Sequence, residues 1–142
     1  MESDHRDEPA GDVEHARRVS VQGSAQPWLV PTVRTIAADL AGRADFDLDF
    51  ISDLRMAVDE ACAVLVGVAD ADEGLHCSIV VARDWISVDV SVVPGERGAR
   101  VRTNGFGWRV LQSLVDEVSV HSGNDDAKEW LGIRLLKKQT AG

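Results

Sequence analysis

The chain has 142 residues, 44% of them hydrophobic, with 24 acids against 15 bases and a formal net charge of −9. That length suits one domain with a core that needs no disulfide or metal staple. The acid excess excludes direct nucleic-acid binding and an anionic membrane surface as partner, because both demand a dense basic face.

The excess is uneven. Residues 1–15 hold six acids (Glu2, Asp4, Asp7, Glu8, Asp12, Glu14) and one base, Arg6, so this stretch carries −5 of the −9. Residues 1–16 are too polar to offset their ordering entropy by burial and are expected to be a disordered acidic tail. Residues 17–138 read as the folded domain and 139–142 as a short tail. No basic start with an apolar run marks a secretory signal, and no window approaches the ~20 apolar residues of a membrane span. A cytoplasmic protein is expected, with Cys62 and Cys77 as buried reduced thiols.

Arg17 to Gln22 alternates as a short strand. Ser24-Ala25-Gln26-Pro27 opens a helix, with Ser24 or Gln26 near the cap, and Pro31 delays its regular part to about Val30. Val33, Ile36, Ala37 and Leu40 keep helical spacing up to a stop near Gly42. Asp45 to Asp49 places negative charge at the start of a second helix, where the dipole favours it. In that helix Ile51, Leu54, Val58, Ala61, Cys62, Leu65 and Val66 form one stripe, and Asp59 and Glu60 lie off it. Two strands follow, joined at Arg83-Asp84. Leu75, Cys77, Ile79 and Val81 share a face of the first, and Ile86, Val88, Val90 and Val92 share a face of the second. The other face meets water or a partner.

Pro94 to Asn104 is a long irregular loop containing Gly95, Gly98 and Arg100. Gly105-Phe106-Gly107 leads from it into a third helix. Val118 to His121 reads as a strand, Ser122 to Asp126 as a turn and Trp130 to Leu136 as the last strand. Trp28, Trp85 and Trp130 are expected to serve packing. The order β-α-α-β-β-loop-α-β-β predicts an α/β two-layer sandwich: a mixed, mostly antiparallel sheet with helices on one face.

Two features could carry chemistry. Glu60 faces the long loop, where a carboxylate could take a proton from an attacking hydroxyl, although such a residue is more often simply solvated. The loop's glycines and arginines beside a helix start suit phosphate oxygens, although a mobile surface loop has the same composition. No metal site follows from the four histidines or two cysteines.

Several segments together carry a resemblance. These are Asp53-Leu54-Arg55-Met56-Ala57-Val58-Asp59-Glu60-Ala61-Cys62, the hairpin, the glycine-bearing loop, and Gly105-Phe106-Gly107-Trp108-Arg109-Val110-Leu111 followed by Leu114 to Val118. In this order and spacing, over about residues 17–138, they resemble the GHKL (histidine kinase-like) ATPases. More narrowly, they resemble the RsbW-type anti-sigma factors and serine kinases, with mycobacterial-type regulators of a general-stress sigma factor the nearest of these. The resemblance implies ATP and Mg²⁺ as cofactors and Glu60 as the catalytic residue. It places the nucleotide pocket and its lid at Val64, Gly95, Gly98, Arg100, Gly105 and Gly107. It also implies a homodimer paired through the first strand and helix, an alternative sigma factor and an anti-anti-sigma factor as partners, and a sigma contact at Arg34. That Arg34 is only a snorkelling helix residue is an equal reading.

The departures bear on mechanism. One turn after Glu60, where the family places an Asn for Mg²⁺, stands Val64, which offers no oxygen. Val90-Ser91-Val92-Val93-Pro94-Gly95 lacks the carboxylate that reads adenine. Two lost charge-assisted contacts amount to ~3–6 kcal/mol, or roughly 10²- to 10⁴-fold in affinity. Trp108 adds a bulky ring beside the same pocket and would fill part of it. An anti-sigma factor with a degenerate nucleotide site is therefore expected ahead of an active ATP-dependent serine kinase acting on its antagonist.

Overall fold

A computed structural model describes residues 16–126 and 128–140. The first fifteen residues, where the acidic tail is expected, lie outside the described residues, as do the last two. The elements in chain order are β1 (Arg17–Ser24), a 3-10 turn (Pro27–Leu29), α1 (Val30–Arg43), α2 (Leu48–Val68), β2 (Gly74–Val81), β3 (Trp85–Val92), α3 (Phe106–Leu114), β4 (Glu117–Asp125) and β5 (Lys128–Lys138). The five strands form one sheet in the order β1-β2-β3-β5-β4, and every ladder is antiparallel. The expected two-layer arrangement holds, with the helices packed on one sheet face.

Local chemistry explains the helix starts. Pro27 sets the 3-10 turn and Pro31 falls in the first turn of α1, where its missing N–H costs no hydrogen bond. Gln26 precedes the turn without a side-chain cap, and Ser24 belongs to β1. At α2, Asp47 accepts a hydrogen bond from the Phe50 N–H at 2.8 Å. The Phe46 and Phe50 rings stack at 4.2 Å across that cap and fix the angle at which the chain enters.

The main core lies between helices and sheet. Leu54, Val58, Cys62 and Leu65 of α2 meet Ile79 of β2, Val88 and Val90 of β3, and Ile133 and Leu135 of β5. Both thiols are buried and free, and burial raises the pKa of each, that of Cys77 to about 12. Lys137 joins three elements from β5. Its Nζ donates to the Leu114 carbonyl at 2.7 Å, lies 3.7 Å from Asp53 Oδ2 and sits 5.2 Å from the Phe50 ring centroid. It thereby satisfies a carbonyl at the end of α3.

The structure corrects two expectations. Ser122 to Asp125 continues β4, paired out to Asp125 opposite Lys128, so the strand runs through most of the expected turn and β5 begins before Trp130. Trp28 is 63% exposed and does not pack, because Leu29 and Val30 take the buried positions. Trp85 is buried as expected, in a small second cluster with Val80, Ala82 and Leu136 on the sheet face away from the helices.

Candidate functional site

α2 and α3 bring Glu60 and Gly107 together. Glu60 is half-buried, and its Oε2 lies 2.5 Å from where a Cβ on Gly107 would stand. Only a glycine leaves that carboxylate its place against the first turn of α3. Gly105 caps this helix in extended conformation, and its first N–H groups have no side-chain cap from Gly105.

One turn along α2 from Glu60, Val64 is half-buried and packs on the core. Trp108 likewise packs against the core from α3 and is half-buried.

The long loop is fastened at its start, at its middle and at Val101. Pro94 bridges Ala69, and the Gly95 N–H donates to the Val68 carbonyl at 2.8 Å, which ties the loop's start to the end of α2. Gly98 has φ +76°, a conformation that suits glycine, and its N–H donates to both Glu129 carboxylate oxygens at 3.2 Å. Val101 is buried in the core, whereas Arg100 is exposed. The loop therefore runs from the end of α2, past the start of β5, to α3.

Arg34 lies apart from this pocket, on α1. Its Nη1 donates to Asp59 Oδ1 at 2.8 Å, beside Glu60 in sequence but one position around the helix. A shallow cavity of about 210 Å³ opens there, lined by Arg34, Ser52, Arg55, Met56 and Asp59. Met56 is exposed, as is Phe106 at the start of α3.

Sequence reasoning missed a second polar cluster, on the sheet face opposite the helices. Asp89 of β3 accepts from Arg134 of β5, Nη2 to Oδ2, at 2.5 Å. It also lies 3.1 Å from His121 Nε2 of β4. Burial pushes the Asp89 carboxyl up, but the hydrogen bonds and charges of His121 and Arg134 outweigh this and hold it below its ordinary value. The His121 ring meets Trp130 edge-on with centroids 5.3 Å apart. The signal was the strand order: only a β5 inserted between β3 and β4 brings these three side chains together.

The histidine kinase-like ATPase domain model matches residues 23–134. The chain belongs to that family. This GHKL domain is 30% identical over 128 residues to the anti-sigma-F factor RsbW of Mycobacterium tuberculosis, covering 88% of this chain and 76% of the relative. It is 26% identical over 124 residues to the serine-protein kinase RsbW of Oceanobacillus iheyensis, covering 73% and 78%. Against the serine-protein kinase RsbW of Bacillus velezensis it is 28% identical over 120 residues, covering 70% and 75%. Glu60, on α2, lies against Gly107 in the first turn of α3. Val64 brings no oxygen, and the Val92–Gly95 stretch brings no carboxylate.

Proposed function

We propose that this GHKL protein is an anti-sigma factor. It sequesters an alternative, general-stress type sigma factor, so restraining transcription, and an anti-anti-sigma factor competes for it. Its nucleotide pocket is degenerate. The observation that carries the reading is Val64, an apolar side chain settled into the core one turn from Glu60, where Mg²⁺ would need an oxygen. The residues at this pocket do not fit Mg·ATP, and no step of the activity runs through it.

Other features support the reading. β1 lies at one edge of the sheet, and an open strand edge favours isologous pairing through β1 and α1 in a homodimer. Arg34, with its guanidinium held by Asp59, presents a fixed donor beside exposed Met56 and serves as a sigma contact. None of the helices among the described residues is long and apolar enough to cross a membrane, which accords with a cytoplasmic partner. Residues 17–138 constitute the working domain.

A second reading has its own observation. The placement of Glu60 against the start of α3 is what a serine kinase needs for a general base, and two relatives are called serine-protein kinases. The experiment separating the two combines equilibrium binding of Mg·ATP, phosphotransfer from radiolabelled ATP to a candidate antagonist, and capture of sigma factors by the same preparation. The anti-sigma reading expects sigma capture without sub-millimolar Mg·ATP binding. It expects capture to weaken in Arg34→Ala, a substitution at a partly exposed pair worth less than about 1 kcal/mol of stability. Phosphotransfer lost in Glu60→Ala would establish the kinase instead.

A further inference from the structure

β1 is an edge strand. It pairs with β2 on one side, and among the described residues no strand lies on the other. At the start of this edge a groove of about 540 Å³ opens between β1 and the end of α1. Val19, Leu40 and Val81 give it apolar walls, and its charged lining among the described residues is Arg17, Arg43 and Arg83. Arg17 and Val19 stand opposite Val81 and Ile79 in the ladder, so they point to the helix side of the sheet. Arg43 is held by Asp39 at 2.7 Å.

The opposite end of the same edge carries an exposed aromatic ring. β1 ends at Ser24, Pro27–Leu29 turns the chain into the helix layer, and α1 returns along β1 to the groove. Trp28 sits in that turn and is 63% exposed, whereas Leu29 beside it reaches the core. α1 spans about 21 Å at 1.5 Å per residue, so Trp28 is too far from the groove of its own copy to fill it. A two-fold axis changes this. Pairing β1 antiparallel with β1 of a second copy, centred near Val21, exchanges the strand ends and keeps both helix layers on one side of the joined sheet. Trp28 of each copy then faces the groove of the other. An indole matches that groove: its body suits the apolar walls, and guanidinium groups favour the face of an aromatic ring.

We infer that the groove between β1 and α1 is the seat of Trp28 from a second copy of the chain. The inference rests on the homodimer pairing proposed above and adds to it a register and an anchor. By symmetry the contact is made twice, once at each end of the joined strands, so Trp28 locks a register that a bare strand edge leaves free to slip. Arg34 lies on the other flank of α1, against Asp59 of α2, and stays clear of the contact.

Sedimentation equilibrium of the full chain tests it. Trp28→Ser removes a ring that is mostly exposed in its own copy, and should weaken the dimer by roughly 10- to 100-fold. Arg17→Gln should weaken it by roughly 2- to 5-fold, through loss of a cation at the ring. Thiol cross-linking with a short bismaleimide reads the geometry. Ala44 also lines the groove, and Cys62 and Cys77 are buried, so they do not compete for the reagent. A chain carrying both Trp28→Cys and Ala44→Cys should be joined into a covalent dimer, and neither single variant should. A wild-type chain that stays monomeric would overturn the pairing and the inference with it. A dimer whose dissociation is unchanged by Trp28→Ser would overturn the inference alone and leave the pairing standing. Cross-linking as strong in Trp28→Cys alone would set the two Trp28 positions against each other, which also overturns it.

Discussion

His121 and Asp89 stand on strands that are not neighbours, yet His121 Nε2 lies 3.1 Å from Asp89 Oδ1. β5 runs between them, and the residue that His121 faces across the ladder is Gly132. The imidazole lies over this glycine. A Cβ on Gly132 would stand 3.1 Å from His121 Cε1 and 2.9 Å from the Val90 carbonyl oxygen.

Gly132→Ala should therefore cost about 1–3 kcal/mol, the range for overpacking, because backbone as well as ring must give way. Urea unfolding measures the loss. A change below a few tenths would show that the ring position does not depend on the glycine.

Acid should weaken the same cluster. The Asp89 carboxyl is held below its ordinary 3.8, since the charges and hydrogen bonds of His121 and Arg134 outweigh burial. A carboxyl with a depressed folded value contributes stability that is full above the ordinary value and lost as pH falls through the lower one. The urea midpoint should accordingly fall below about pH 4, and that part of the fall should be absent in Asp89→Asn. At neutral pH the same substitution should cost about 1–3 kcal/mol by leaving the mostly buried Arg134 without its carboxylate.

Gly107→Ala probes the α2–α3 junction. The obstruction is the far end of the Glu60 side chain, which can swing aside, so the loss of stability should be under about 1 kcal/mol. A double-mutant cycle isolates the contact: in a Glu60→Ala background the cost of Gly107→Ala should vanish. An equal cost in both backgrounds would show that the glycine matters for backbone reasons instead.

Val64→Asn tests the degenerate pocket directly. If a missing oxygen one turn from Glu60 is what weakens nucleotide binding, restoring it should tighten Mg·ATP by roughly 10- to 100-fold in calorimetry. It should also lower stability by about 1 kcal/mol, as a polar group enters a site packed on the core. Unchanged affinity in a folded variant would trace the weakness to the Val92–Gly95 stretch or to Trp108.

Much of this fold was legible because its elements carry unambiguous periods. The stripe from Ile51 to Val66 and the alternation in β2 and β3 permit one reading each. The β4–β5 hairpin was harder to place. Ser122-Gly123-Asn124-Asp125 has turn composition, yet pairing with β5 keeps it extended, and Gly123 makes room for the Trp130 ring. Trp28 misleads because hydrophobicity alone does not say which of three consecutive apolar residues in a 3-10 turn faces inward. Glu60 and Gly107 could be singled out from helix position and motif spacing, although their contact required coordinates. Asp89, His121 and Arg134 could not, because 13 and 32 residues separate them in sequence and only the strand order joins them.

Lys137 ties α3 to the elements around it. By holding the Leu114 carbonyl from β5, close to Asp53 and the Phe50 ring, it pins the far end of α3 to two other elements. The near end of that helix carries no side-chain cap and meets the loop. If α3 is displaced, the Lys137 tie at Leu114 makes the displacement largest at Gly105 to Gly107, beside Glu60.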